Sequence, residues 1–127
     1  MRPLIPFALC VGAPLVVGCE GSPMLCTLNL EPAVAVAVRD SITNAPSASG
    51  AKLVVRDGAF ADSASVPAGQ PSLDASTLQA APERAGVYML TVSKPGYRDW
   101  VRTGVRVTAG ECHVNTERFT ALMQPSG

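Results

Sequence analysis

Val34, Val36 and Val38 alternate with Ala33, Ala35 and Ala37. A period of two places the three valines on one face of an extended strand; an amphipathic helix would need apolar positions three and four apart. The same pattern recurs along the chain. Ala51-Lys52-Leu53-Val54-Val55-Arg56 reads as a second strand, stopped by the turn dipeptide Asp57-Gly58. In Gly86–Ser93, Val87, Met89 and Thr91 share one face, and Tyr88, Leu90 and Val92 share the other. Lys94-Pro95-Gly96-Tyr97 carries Pro and Gly where a type II turn wants them. Arg98–Val101 and Gly104–Val107 read as strand with a break between them. Ala109-Gly110-Glu111 is a tight turn, and Cys112–Met123 is a final, half-polar strand. Asp40–Gly50, rich in Ser, Asn, Pro and Gly, is a loop. Ala59–Ala85 offers mainly Ala, Ser, Pro and Gly. It is expected to be mostly loop, with a short strand near Phe60 and a helical turn within Asp74–Ala81. No segment sustains a helical period. The expectation is an all-β chain forming a single antiparallel β-sandwich of about seven strands. Aromatic residues make up only 5% of the chain, so its core must be built from Val, Leu and Ala.

The amino terminus does not share this pattern. Arg2 is followed by an uncharged apolar run from Leu4 to Val17, interrupted by Pro6 and Pro14 and ended by Gly18. The run is short for a bilayer span, which needs about 20 apolar residues. A basic start, an apolar stretch and a small residue are the parts of a secretory signal peptide. The last positions, Val16-Val17-Gly18-Cys19, resemble the lipobox of bacterial lipoproteins. That resemblance implies cleavage before Cys19 and attachment of lipid to its thiol, a role that requires a strong nucleophile. The alternatives are an ordinary signal peptide cut elsewhere and a buried N-terminal helix. Cys10 is a poor rival for lipidation, because Leu9 before it is not small. The division that follows is residues 1–18 as lipoprotein signal peptide, 19–30 as lipidated N-terminus and tether, and 31–124 as the folded domain.

Two cysteines then remain, Cys26 before the first strand and Cys112 at the last. In an exported chain they form either one disulfide or a pair of buried thiols. A disulfide would hold the first and last strand regions together as neighbours.

The order of several short motifs resembles carboxypeptidase regulatory-like domains, which are prealbumin-like (transthyretin-like) β-sandwiches. The residues that carry it are Gly86-Val87-Tyr88, then Lys94-Pro95-Gly96-Tyr97, then Val105-Arg106-Val107. Upstream, Ser41-Ile42-Thr43-Asn44-Ala45-Pro46 and Gly50-Ala51-Lys52-Leu53-Val54-Val55 fit the same layout. The resemblance spans about Ala33 to Leu122, and the stretch between Ala59 and Ala85 departs from it. It implies an accessory role in folding support, adhesion, or carbohydrate or protein contact. It supplies no catalytic residues.

The residues themselves offer little chemistry. His113 is the one histidine, and no Gly-x-Ser-x-Gly elbow accompanies it. Cys112 and His113, adjacent on a strand, would point to opposite faces and could not chelate one metal ion together. Glu111 and Glu117 lack a carboxylate partner at glycosidase spacing. Ten basic residues balance ten acidic ones, which argues against a nucleic-acid partner. No cofactor is implied. The best candidate binding surface is Tyr97, Arg98, Trp100 and Arg102, an aromatic-plus-arginine set of the kind that anchors interfaces. The favoured reading of Trp100 itself is that it caps the core at a sandwich end under arginine stems. The expected function is therefore a membrane-anchored, non-catalytic binding or structural module in the bacterial cell envelope. Its lipid sits at Cys19, and its partner is an envelope protein or carbohydrate. The alternatives are a secreted transthyretin-like sandwich that self-associates or binds a small ligand, and an accessory domain of a hydrolase.

Overall fold

Alternating valines do form the first strand. In the computed structural model, which describes Gly12 and residues 25–127, β1 runs Pro32–Asp40. It is followed by β2 (Lys52–Asp57), β3 (Phe60–Ser65), a 3-10 turn at Pro71–Leu73, and β4 (Thr77–Pro82). The chain continues through β5 (Gly86–Ser93), β6 (Trp100–Val107) and β7 (Glu117–Met123). The seven strands form two sheets, one ordered β4-β1-β7 and the other β3-β2-β5-β6. Both contribute to one buried cluster, so the fold is sandwich-like. Val34, Val36 and Val38 face Leu53, Val55, Tyr88, Leu90 and Val92 across the interior.

β1 is the central strand of its sheet, and this explains its alanines. Ala33 and Ala35 lie on the outer face yet are buried. Ala35 stands in register between Gln79 of β4 and Arg118 of β7, two long side chains that flank a small one. The outer faces of β2 and β5 are wetter, and Val87 and Met89 are exposed while Tyr88, Leu90 and Val92 are not.

Five expectations need correction. The sheet is not wholly antiparallel, because β1 and β7 pair in parallel from Val34–Glu117 to Asp40–Met123. Parallel neighbours need a long crossover connection, and here almost the whole domain provides it. The stretch Ala59–Ala85 is not mostly loop. The short strand expected near Phe60 is β3, paired along its full length with β2, and a second strand, β4, pairs with β1. The residues of this stretch are too small and polar for a strong apolar alternation, so tertiary pairing rather than propensity decides. The helical turn expected within Asp74–Ala81 is also absent; the 3-10 turn lies earlier, and Thr77–Pro82 is strand. Finally, Cys112 does not begin the last strand, which starts at Glu117. The break expected near Gly104 is a register shift inside a continuous β6, where Gly104 takes φ 65°. An extra residue in one strand of a pair bends it without ending it.

The expected turns hold. Gly58 at φ 57° closes the β2–β3 hairpin, and Gly96 at φ 83° closes the turn in which the Tyr97 N–H donates to the Lys94 carbonyl. Both φ values are open to glycine and strained for most other residues.

Candidate functional site

Cys26 and Cys112 are joined by a disulfide, with Cα atoms 5.2 Å apart. The bond links the segments that lead into β1 and β7, so both strands leave it in the same direction. It also places Thr27 beside His113. The Thr27 hydroxyl lies 2.8 Å from His113 Nε2, and His113 Nδ1 lies 2.5 Å from Glu83 Oε1. A carboxylate only accepts hydrogen bonds. Nδ1 therefore carries a proton toward Glu83, and the Thr27 hydroxyl is the hydrogen-bond partner of Nε2.

Glu83 is the residue that the sequence did not reveal. It sits in the β4–β5 turn at φ 55°, two positions after Ala81 at φ 54°. Such backbone is costly for residues with a Cβ and persists only where its surroundings demand it. Here they do. Besides His113, the Glu83 carboxylate accepts the Glu31 N–H at 2.7 Å and the Val114 N–H at 3.2 Å. The Glu83 N–H in turn donates to the Glu31 carbonyl. One side chain thus ties the lead-in to β1, the β4–β5 turn and the lead-in to β7. The Glu31 N–H above all, with His113 and the Val114 N–H, holds the Glu83 carboxyl below its usual value of 4.5, against some desolvation.

Hydroxyl, imidazole and carboxylate in this order also form the relay that activates nucleophiles. That chemistry further requires donors for a developing oxyanion. Three of the neighbouring backbone N–H groups are committed elsewhere: Gly110 to the His113 carbonyl, Val114 to Glu83 and Asn115 to the Thr108 carbonyl. On this geometry the cluster fastens three segments. Among the described residues, no group of three His, Cys, Asp or Glu side chains is placed to share a metal ion.

The candidate surface at Tyr97, Arg98, Trp100 and Arg102 is divided by the fold. Arg98 and Trp100, with Asp99, Val101, Leu122 and Gln124, line a cleft of about 240 Å³ where β6 approaches β7 across the open side of the sandwich. Trp100 is partly buried against the core and tilts toward Phe119 of β7, with ring centroids 6.2 Å apart. The Arg102 guanidinium lies 5.7 Å from the Trp100 ring and 5.2 Å from that of Phe119, within cation–π range. Tyr97 turns away. Its hydroxyl donates to Asp40 Oδ2 at 2.7 Å, and Lys94 Nζ stands 5.3 Å from its ring. The Asp40 bond raises the Tyr97 pKa. Asp40 itself accepts the Thr43 and Ile42 N–H groups, and these bonds with Tyr97 hold its carboxyl below the usual 3.8. Tyr97 therefore joins the β1–β2 loop to the β5–β6 turn, while Arg98 and Trp100 remain at the cleft. Cys19 and residues 20–24 of the tether lie outside the described residues. Leu25, Leu28 and Leu30, the next part of the chain, are exposed.

No protein-family model matches the chain, and no curated protein matches its sequence.

Proposed function

We propose that the chain is an exported lipoprotein, anchored to a membrane of the bacterial envelope through lipid at Cys19, whose domain binds or supports a partner and carries out no reaction. The observation that carries this reading is the Cys26–Cys112 disulfide. Such bonds persist in oxidising compartments, and this one lies just after a segment with the form of a lipoprotein signal. The domain is read as prealbumin-like. Seven strands in sheets of three and four, with Tyr88 of the Gly-x-Tyr motif buried between them, support that reading. The cleft at Arg98 and Trp100 is the proposed contact for an envelope protein or carbohydrate. A flat aromatic ring beside a guanidinium, a carboxylate and an amide can stack on a sugar or an aromatic side chain and hydrogen-bond around it.

Metabolic labelling with a radioactive fatty acid tests the anchor. The wild-type chain is expected to take up label and to sediment with membranes. The Cys19→Ala variant is expected to do neither while retaining the disulfide. Equal labelling of both chains would refute the proposal.

A further inference from the structure

The chain is electrically balanced, yet its charges are not evenly spread. On the outer face of the four-stranded sheet, β3 contributes Ala61, Ser63 and Ser65, and β2 contributes Lys52, Val54 and Arg56. β5 adds Val87, Met89, Thr91 and Ser93, and β6 adds Val101 and Arg106. No carboxylate stands among these positions. Lys52, Arg56 and Arg106 are exposed, and none of the three forms a salt bridge among the described residues. The apolar residues between them are open to solvent as well: Val101 is 54%, Val87 44% and Met89 41% exposed. The cations and the apolar side chains alternate in register, with Arg56 opposite Met89 and Val87 opposite Arg106. The carboxylates of β2 and β3 are engaged elsewhere, and the exposed Asp99 precedes β6 at the end of the face away from the tether. Asp57, at the end of β2, is paired with Arg84 at 3.0 Å. Asp62 of β3 faces the other way and accepts the Ala81 N–H.

We propose that this face docks on an anionic lipid bilayer, the three cations meeting headgroup phosphates and the apolar side chains entering the interface between headgroups and acyl chains. The proposal rests on the lipid anchor at Cys19 for the nearness of that bilayer. Cys26 is fixed to the domain by its disulfide, and the chain between Cys19 and Cys26 extends at most roughly 25 Å. The disulfide also lies at the right end of the sandwich. Gly86 at the start of β5 pairs with Val107 at the end of β6, and Ala109 just beyond bridges to Val114. Val87, Arg106, Met89 and Arg56 are therefore the part of the face nearest to the tether. A cation at an anionic membrane surface strengthens binding by roughly fivefold, and tethering makes the encounter intramolecular.

The chain contains two lysines, and they report on the two sides of the same strand pair. Lys52 lies on the proposed face. Lys94 follows Ser93, the partner of Lys52, and turns away to bond the Ser47 hydroxyl at 2.6 Å. The lipidated chain is placed on vesicles of phosphatidylcholine, alone or mixed with phosphatidylglycerol, and pulsed with an amine-reactive reagent before mass analysis. Labelling of Lys52 is expected to slow by about fivefold or more on the anionic vesicles, with Lys94 unchanged and the effect lost in high salt. The variant Arg56→Gln/Arg106→Gln, which keeps Lys52, should lose most of the protection. Equal Lys52 labelling on both vesicles would overturn the proposal, as would undiminished protection in the variant. Protection seen only in intact envelopes would assign the face to another macromolecule and overturn it as well. Flotation separates the two readings. A chain that fails to float with neutral vesicles has no anchor. If it still floats with anionic ones in a salt-sensitive way, the docking face stands alone; if it floats with neither, both readings fall.

Discussion

Tyr88 shows how much one side chain can organise in a core that is otherwise aliphatic. It is 1% exposed, and its ring meets Phe60 edge-on at 6.3 Å. Its hydroxyl donates to the Arg84 carbonyl at 2.6 Å and accepts from the Arg84 guanidinium, which continues to Asp57 and lies over the Phe60 ring. Tyr88→Phe keeps the ring but leaves the Arg84 carbonyl without its partner. It is expected to cost about 1–2 kcal/mol in urea unfolding, with an unchanged slope. Gly86, two positions earlier, is required for a related reason. A Cβ there would press on the Asp57 carboxylate and the Arg84 guanidinium. Gly86→Ala is expected to destabilise by about 1–3 kcal/mol as that ion pair is forced aside, and a fall in thermal midpoint would register it. The Gly-x-Tyr pattern was legible in the sequence, and a buried tyrosine hydroxyl usually finds a polar partner. Which partner it takes was not legible, because Asp57 and Arg84 meet only after β2 and β5 have paired. Glu83 was less legible still: its partners Glu31, His113 and Val114 come from segments far apart in the chain. The one local hint is a glutamate in a turn after Pro82, and surface turns commonly hold such residues.

At the scale of elements, the strands that could be read directly are those with contrast between their faces. β1, β2 and β5 set Val, Leu or Tyr against small or charged neighbours, and each forms close to its expected bounds. β3 alternates in burial just as regularly, but its residues are Phe60, Ala61, Asp62, Ser63, Ala64 and Ser65. Alanine and serine differ too little in hydrophobicity to announce which face is which, so the strand is specified by its hairpin at Gly58 and by the edge of β2. β4 is similar, with Leu78 and Ala80 as its only strong inward signals. The turn between β4 and β5 carries the acid sensitivity of these elements. The folded Glu83 carboxyl titrates below its usual 4.5, so its contribution is fully present above that value and is lost as the pH falls through the folded pKa. Asp40 acts in the same direction below 3.8. The wild-type thermal midpoint is expected to drop on acidification below these values. Glu83→Gln should begin lower at neutral pH and decline less steeply, so that the two curves converge in acid. Parallel curves would show that Glu83 is not the group responsible.

For the molecule as a whole, the disulfide is the longest-range constraint. It closes a loop with a sequence separation of 86, nearly the span of the folded domain. Such closure restricts the unfolded chain, and losing it should cost about 2–5 kcal/mol. Reduction, or the double variant Cys26→Ser/Cys112→Ser, is therefore expected to lower the denaturation midpoint markedly. Hydrogen exchange should rise first in β7 and at Glu31, where the lead-in segments come apart. The cysteine count pointed to this pairing, and to β1 and β7 as neighbours. The parallel direction of the two strands could not be read in advance, because it depends on which end of each strand the cysteine precedes once β7 is known to start at Glu117. The segregation of charge was equally hidden. Lys52, Arg56 and Arg106 are scattered in sequence, and only the pleat and the pairing of β2, β5 and β6 put them on one face.

The disulfide also decides how this domain would bear a mechanical load. A pull on the chain from the side of residue 19 reaches the fold at Cys26, and there the covalent bridge divides it between the starts of β1 and β7. These two strands run in parallel over seven paired positions. Tension delivered to both at the same end draws them in the same direction and does little to peel one from the other. With the bridge open, the whole force would fall on the lead-in to β1 alone, and the bond of Thr27 to His113 would part first, followed by those of Glu31 to Glu83.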